Sequence, residues 1–366
     1  MNAKKLHPSI LLSAALFLLP PTPLRAVEDV IRKSFESTAG AKLIVTADRG
    51  NIVVKPGNGN RVEIEVRRKI ERVSDAKAQE VFRDHEVTIL QNDKEVSIHA
   101  ESKTKKKLWS GNEPQLQVNY EISVPKNFNA DLKSSGGSIS VGDLQGEVKT
   151  QTAAGNLKIE RIDGPVTAQT AGGSISVASA KTIVAKTSAG NIDIGESAGD
   201  VFAETHGGSI GIKKSAGKIE AQTSAGNIRI DEGAGEISAK TSGGSIEIKK
   251  SQGKVLAKTS AGNIHLGEIN GTVDATTSGG SIIAGLKGQP KEDCHLETSA
   301  GNITVTAPKN LAVNLDASAS AGNVSSALPV TMEGAKRNNS LQGKINGGGP
   351  ALVLRTHGGS VRLEQL

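Results

Sequence analysis

In this chain of 366 residues only 2% are aromatic, 42 are glycine and one is cysteine, and 44 Lys plus Arg oppose 38 Asp plus Glu for a formal charge of +6. A thick aromatic core and an internal disulfide are both excluded, so stability has to come from repetition of something small. Lys4, Lys5 and Arg25 fall in the first 26 residues, where there is no acid; without them the charge drops to +3, which gives no indication of nucleic acid as a partner.

Residues 1–26 read as a secretory signal. Lys4 and Lys5 supply the positive start, Ile10 to Leu19 the apolar run, and Pro20, Pro21 and Pro23 the break before Ala26, so the mature chain is expected to begin at Val27. The run falls short of the roughly 20 residues a membrane-crossing helix needs. No later run is long enough, and no cysteine near the cleavage point suggests lipid anchoring. The protein is expected to be exported to the periplasm, the outer surface or the medium. Cys294 is expected to be a buried, inert thiol rather than a nucleophile.

Residues 27–133 read as a capping region. Alternating runs at Leu43 and Val45, at Ile52 and Val54, and at Val62, Ile64 and Val66 predict strands. Ser74 to His85 has helical composition, with Ser74 placed to cap it. Strands follow around Val87 to Leu90, Val96 to His99 and Leu116 to Val124. Between them KTKKKLW carries Lys105, Lys106, Lys107 and Trp109, the one local basic patch with an aromatic. It is a candidate contact for an anionic envelope polymer or a lipid headgroup, weighed against a plain solvated loop.

Residues 134–302 read as the regular repeats, in which a unit recurs every 18 residues, once 17, from Gly137 to Gly280, marked by Gly155-Asn156, Gly173-Ser174, Gly190-Asn191, Gly208-Ser209, Gly226-Asn227, Gly244-Ser245 and their neighbours. Ile219, Ala221, Ile228 and Ile230 alternate with Glu220, Gln222 and Arg229, which predicts two short strands joined at glycine corners. Stacked at about 4.8 Å, some thirteen such rungs would make a rod of roughly 60 Å. Thr152, Thr170, Thr187, Thr205, Thr223, Thr241, Thr259, Thr277 and Thr298 recur before each corner. They are expected inward as a ladder, with hydroxyls bonding along the rod.

The corners alternate GGS with AGN, so a 36-residue rung has to be weighed against an 18-residue one. At the opposite corner the sign alternates through Glu196, Lys213-Lys214, Asp231-Glu232, Lys249-Lys250, Glu268 and Lys287. Rungs of 18 residues place acid on base, whereas rungs of 36 stack lysine on lysine, so 18 is preferred. The later copies at Gly301, Gly322 and Gly359 are spaced more loosely, and residues 303–366 read as irregular terminal repeats and a cap. The expected fold is all-β: a single-stranded β-solenoid, or β-helix, of about 18-residue rungs with a small mixed α/β N-terminal cap.

RGNIVV (49–54), YEISVP (120–125), the TSAGNI and TSGGSI series, and NGGGPALVLRTHGGSVRL (346–363) together resemble the bacterial putative-adhesin repeat family, relatives of the head GIN domain. That resemblance implies an envelope or extracellular β-solenoid and supplies no catalytic residue.

A polysaccharide lyase or hydrolase on a parallel β-helix would need clustered carboxylates and sugar-holding aromatics, whereas the acids here are scattered and Phe202 is the one aromatic of the repeats. Calcium-binding repeats would carry aspartate at every turn, and an ice-binding face would turn its threonines outward. His206, His265, His295 and His357 are single substitutions without ligand spacing. The reading is therefore a non-enzymatic, adhesin-like or scaffolding element without cofactor or metal, expected to be a monomer. Its expected partner is an anionic polymer, glycan or protein, with a periplasmic binding module as the alternative.

Overall fold

The computed structural model describes residues 26–104, 115–332 and 337–366. Most of the leader, and Lys105, Lys106, Lys107 and Trp109, lie outside the described residues.

Each regular unit lays down one strand on each of two facing parallel sheets. In the unit cited above, Ile219–Gln222 belongs to sheet B and Ile228–Gly233 to sheet A. Ile219, Ala221, Ile228 and Ile230 are all fully buried between the sheets, because alternation sends every second side chain to the same face. Sheet A contributes large inward residues, while sheet B contributes one large residue and one alanine per strand, such as Ala203, Ala221 and Ala239. The alanines let the sheets approach closely, so an aliphatic core fills the rod without rings.

Rung length follows from the register. Ile192 faces Ile210, then Ile228, Ile246 and Ile264, a step of 18 residues each time. Ser209 lies between Asn191 and Asn227, its N–H donating to Asn191 Oδ1 at 2.9 Å and its hydroxyl accepting from Asn227 N at 3.1 Å. Glu196, Lys214, Glu232, Lys250 and Glu268 face one another in that order. Lys287 does not continue this row. An irregularity between Leu266 and Ile269 shortens the next strand by one residue, and Ile269 faces Leu286.

The glycine corner depends on close approach rather than on unusual φ. A Cβ on Gly226 would lie 2.0 Å from the carbonyl oxygen of Gly208, and the same contact recurs at Gly208, Gly244, Gly262 and Gly280. Rungs meet backbone to backbone here, which only glycine allows.

The ends are interleaved. At the N-terminal end Lys42–Ala47 and Asn51–Pro56 form a rung with parallel neighbours on both sides. Its outer neighbour, Glu95–Ser102 with Leu116–Val124, comes later in the chain. Three antiparallel strands and one helix close this end. Arg61–Ile70 and Val27–Glu36 extend sheet A, and His85–Asn92 extends sheet B. The helix Asp75–Asp84 is capped by the Ser74 hydroxyl and buries Ala78 and Phe82. The opening region is therefore more than a cap, since it also holds two rungs.

The C-terminal end mirrors this arrangement. Ala351–Thr356 and Val361–Gln365, the last strands in the chain, slot between the rung at Cys294–Thr298 and Ile303–Ala307 and the outermost rung at Val313–Ala319 and Val324–Ser326. Ser340–Ile345 then covers Val313–Ala319 antiparallel. Counting both interleaved ends, the described residues contain fourteen rungs, one more than the sequence suggested and again about 60 Å of rod.

Candidate functional site

Two outward surfaces run the length of the rod, and their electrostatics differ. Along sheet A and its adjoining corner, charges are largely neutralised by neighbours one rung away. Lys249 meets Asp231 at 2.8 Å, Lys214 meets Glu232 at 3.6 Å, Lys250 meets Glu268 at 3.4 Å, and Arg229 pairs with Glu247.

Sheet B presents a row of longer polar side chains, one per rung: Lys133, Gln151, Gln169, Lys186, Glu204, Gln222, Lys240, Lys258 and Thr276. Beside the first part of this row lies a groove of about 690 Å³ that crosses six rungs from Thr46 to His206. Its floor is shallow because the corner positions Ser135, Ala153, Ala171 and Ser188 are small. Lys186 meets Glu204 at 3.1 Å and also sits over the Phe202 ring at 4.7 Å, an arrangement that holds the ring at the surface. Gln151 and Gln169 are exposed direct neighbours on adjacent rungs, and their amides have no partner among the described residues. Lys133, Gln151 and Gln169, on three successive rungs about 4.8 Å apart, are free or only loosely paired and can bind an extended polar chain lying along the rod axis.

The threonines are buried, from Thr298 at 0% to Thr170 at 7% exposed. Each hydroxyl donates to the glycine carbonyl of the preceding corner, as Thr241 does to Gly226 O at 2.9 Å and Thr259 to Gly244 O at 2.7 Å. It also accepts from the glycine N–H three residues on, at 3.3 Å from Gly244 and Gly262. The bond runs along the rod but to backbone, not to the next threonine, and it serves corner groups that the strand ladder leaves unpaired. Thr152, Thr170, Thr187, Thr205, Thr223, Thr277 and Thr298 make the same pair of bonds.

Outside each corner runs a second ladder, in which every Asn or Ser side chain accepts the N–H of the next rung. It passes through Asn51, Ser138, Asn156, Ser174 and Asn191 to Asn263, Ser281, Asn302, Ser360 and Asn323. In chain order the last three read Asn, Asn, Ser; in space they alternate. The alternation therefore belongs to spatial neighbours, and the doubled AGN corner marks where a later strand inserts.

The N-terminal end holds a buried polar cluster that sequence reasoning missed. His85 is 1% exposed, and its Nε2 lies 3.3 Å from Asp48 Oδ1, close enough for attraction but out of line for a hydrogen bond. Burial opposes ionisation of Asp48, yet His85 and Arg49 outweigh it and hold the carboxyl well below the usual range. Burial pushes the phenol of Tyr120 upward, and its hydroxyl has no partner. Arg68 ties the cap together, donating to Phe82 O and His85 O at 2.7 Å and to Asp29 at 2.9 Å. These residues come from separate strands, the helix and the turn after Lys42–Ala47, and have no local motif.

Cys294 is fully buried and burial raises its thiol pKa. Of the repeat histidines, His295 lies 3.0 Å from Glu297. Among the described residues no three of His, Cys, Asp and Glu come together in a way that could hold a metal ion. No helix among the described residues is long and apolar enough to cross a membrane.

The sequence profile of the Toastrack DUF4097 family matches residues 41–364. Among curated proteins none matches the chain. Solved structures with a similar course include a putative cell adhesion protein from Clostridium sporogenes, at 10% identity over 93% of this chain and 100% of that one, with a TM-score of 0.22. Two others are from Parabacteroides distasonis. A putative adhesin is 12% identical over 92% of this chain and 97% of that one, with a TM-score of 0.26. A putative lipid binding protein is 12% identical with the same coverage and a TM-score of 0.23.

Proposed function

The chain belongs to the Toastrack DUF4097 family, and from that membership together with the face described above we propose that it is an exported, adhesin-like scaffold of the bacterial cell envelope. It would act without chemistry, by laying an extended polar partner along the outer face of sheet B. The observation that carries this is the groove of about 690 Å³ crossing six rungs, with the unpartnered amides of Gln151 and Gln169 along its side. The leader read in residues 1–26 supports export.

The test is a binding screen of residues 27–366 against envelope polymers and glycans, beside a Gln151→Ala/Gln169→Ala variant. A variant without charge at Lys105, Lys106 and Lys107 measures the contribution proposed for the basic loop. A linear polymer that binds the parent at least tenfold tighter than the Gln variant supports the reading. Equal binding to both would place the contact elsewhere. Surface labelling of intact cells separates an adhesin from a periplasmic binding module, since protein labelled only after the outer membrane is opened cannot act at the cell surface.

A further inference from the structure

Wherever two charged groups other than histidine face each other on adjacent parallel rungs of the described residues, they are of opposite sign at nine positions, including Asp131 with Lys149, Lys186 with Glu204 and Glu297 with Arg355. Lys240 over Lys258 is the exception. Both are exposed, and neither ammonium group has a carboxylate or hydrogen-bond partner among the described residues. Directly opposed like charges destabilise a sheet, so a chain that alternates sign elsewhere leaves two ammonium groups uncompensated here.

The place of the pair is equally informative. It lies on the sheet B row that borders the groove, flanked by Gln222 on one side and Thr276 on the other. Next to it Leu256 is half-buried and Ser238 is only 7% exposed, so the lysines rise beside a firm, flat shelf. Two ammonium groups about one rung spacing apart can donate together to the oxygens of a single anionic group.

We propose that Lys240 and Lys258 form an anion-binding subsite for an acidic linear glycan, one whose sugars carry carboxylate or sulfate. This rests on the functional reading above and names the ligand class of the same face. Elsewhere in the row Gln151, Gln169, Gln222 and Thr276 offer amides and a hydroxyl suited to sugar hydroxyls, and Lys186 is paired with Glu204. An extended peptide finds no free strand edge on this face, because sheet B pairs its backbone groups rung to rung.

The test uses residues 27–366 with polygalacturonate, dextran sulfate, neutral dextran and, as a polyanion control, a DNA duplex, against the parent and Lys258→Glu. An acidic probe should bind the parent at least tenfold tighter than dextran, and the advantage should shrink as salt rises. The two acidic probes distinguish carboxylate from sulfate. Lys258→Glu should lose at least tenfold in acidic-probe affinity while its unfolding midpoint stays the same or rises, because it recreates the opposite-sign pairing found elsewhere. A purely structural role would not move binding while sparing stability. Undiminished binding by Lys258→Glu overturns the subsite, as does equal binding of a DNA duplex, which would mean indiscriminate attraction of polyanions. If dextran binds as well as polygalacturonate and both are lost in Gln151→Ala/Gln169→Ala, the polymer reading stands and the acidic subsite fails. If no polymer binds, both fail.

Discussion

Gly243 and Gly244 are adjacent in one corner, and alanine should have opposite consequences at the two sites. A Cβ on Gly244 would lie 2.0 Å from Gly226 O, 2.5 Å from Gly226 C and 2.9 Å from Asn227 N. All three are backbone atoms, so only separating the rungs relieves the clash. Separation by about 1 Å stretches the bond from Ile228 N to Ser245 O, now 3.0 Å, and that from Thr241 Oγ1 to Gly226 O, now 2.9 Å. Overpacking of this kind costs about 1–3 kcal/mol, and each compromised hydrogen bond adds about 1 kcal/mol. Gly244→Ala should therefore destabilise by about 3–5 kcal/mol. At Gly243 the nearest atom to an added Cβ is 3.5 Å away, an ordinary contact, and alanine already stands at this place in the neighbouring rungs as Ala225 and Ala261. Gly243→Ala should be neutral or stabilise by up to about 1 kcal/mol through the unfolded chain. Urea unfolding, with amide hydrogen exchange to localise the loss, measures both. A Gly244→Ala protein within 1 kcal/mol of the parent, or equal losses at the two sites, would refute close backbone approach as the reason for the glycine.

Thr241→Val keeps the packing and removes both hydroxyl bonds, which should cost about 1–3 kcal/mol in thermal unfolding; a variant as stable as the parent would show that those bonds contribute nothing. Deleting residues 209–226 stacks Asn191 on Asn227 and Glu196 on Glu232, whereas deleting 209–244 keeps Asn against Ser and Glu196 against Lys250. The longer deletion should unfold closer to the parent, and the idea fails if the shorter deletion is at least as stable. Asp48 is held in its ionised form by the fold, so its contribution is present above the ordinary carboxyl value of about 4 and is lost as pH falls below it. Asp48→Asn should therefore be less stable than the parent at pH 7, with a gap that is narrower at pH 3 than at pH 5; a gap unchanged at pH 3 would contradict this.

Much of the rod was legible because its information is local and periodic. The 18-residue step followed from charge at one corner, and the pairing of Lys214 with Glu232 and of Lys250 with Glu268 is what made the shorter rung favourable. The end topology was harder, because strands that neighbour in space there are separated in the chain, as Ile303–Ala307 and Val361–Gln365 are. A trace did exist in the order Asn302, Asn323, Ser360, which makes sense only if the last corner returns between the other two. Lys240 and Lys258 were legible as outward residues, since they occupy one repeat position 18 apart. Their exceptional character depended on knowing every other facing pair. The Asp48, His85 and Tyr120 cluster draws on one turn and two strands that no sequence period relates.

The interleaved C-terminus also governs how the rod would carry load. In a simple coil the last strand has one neighbour, and a pull on the chain end unzips one rung after another with few bonds broken at a time. Here Val361–Gln365 is gripped by Ile303–Ala307 on one side and Val324–Ser326 on the other. A force applied at the C-terminal end must break two ladders together before the rod can unravel. Among the described residues Val27–Glu36 has a single strand ladder, to Arg61–Ile70, so the opposite end is the easier one to peel. The molecule is mechanically polar, with a clamped end and a yielding one.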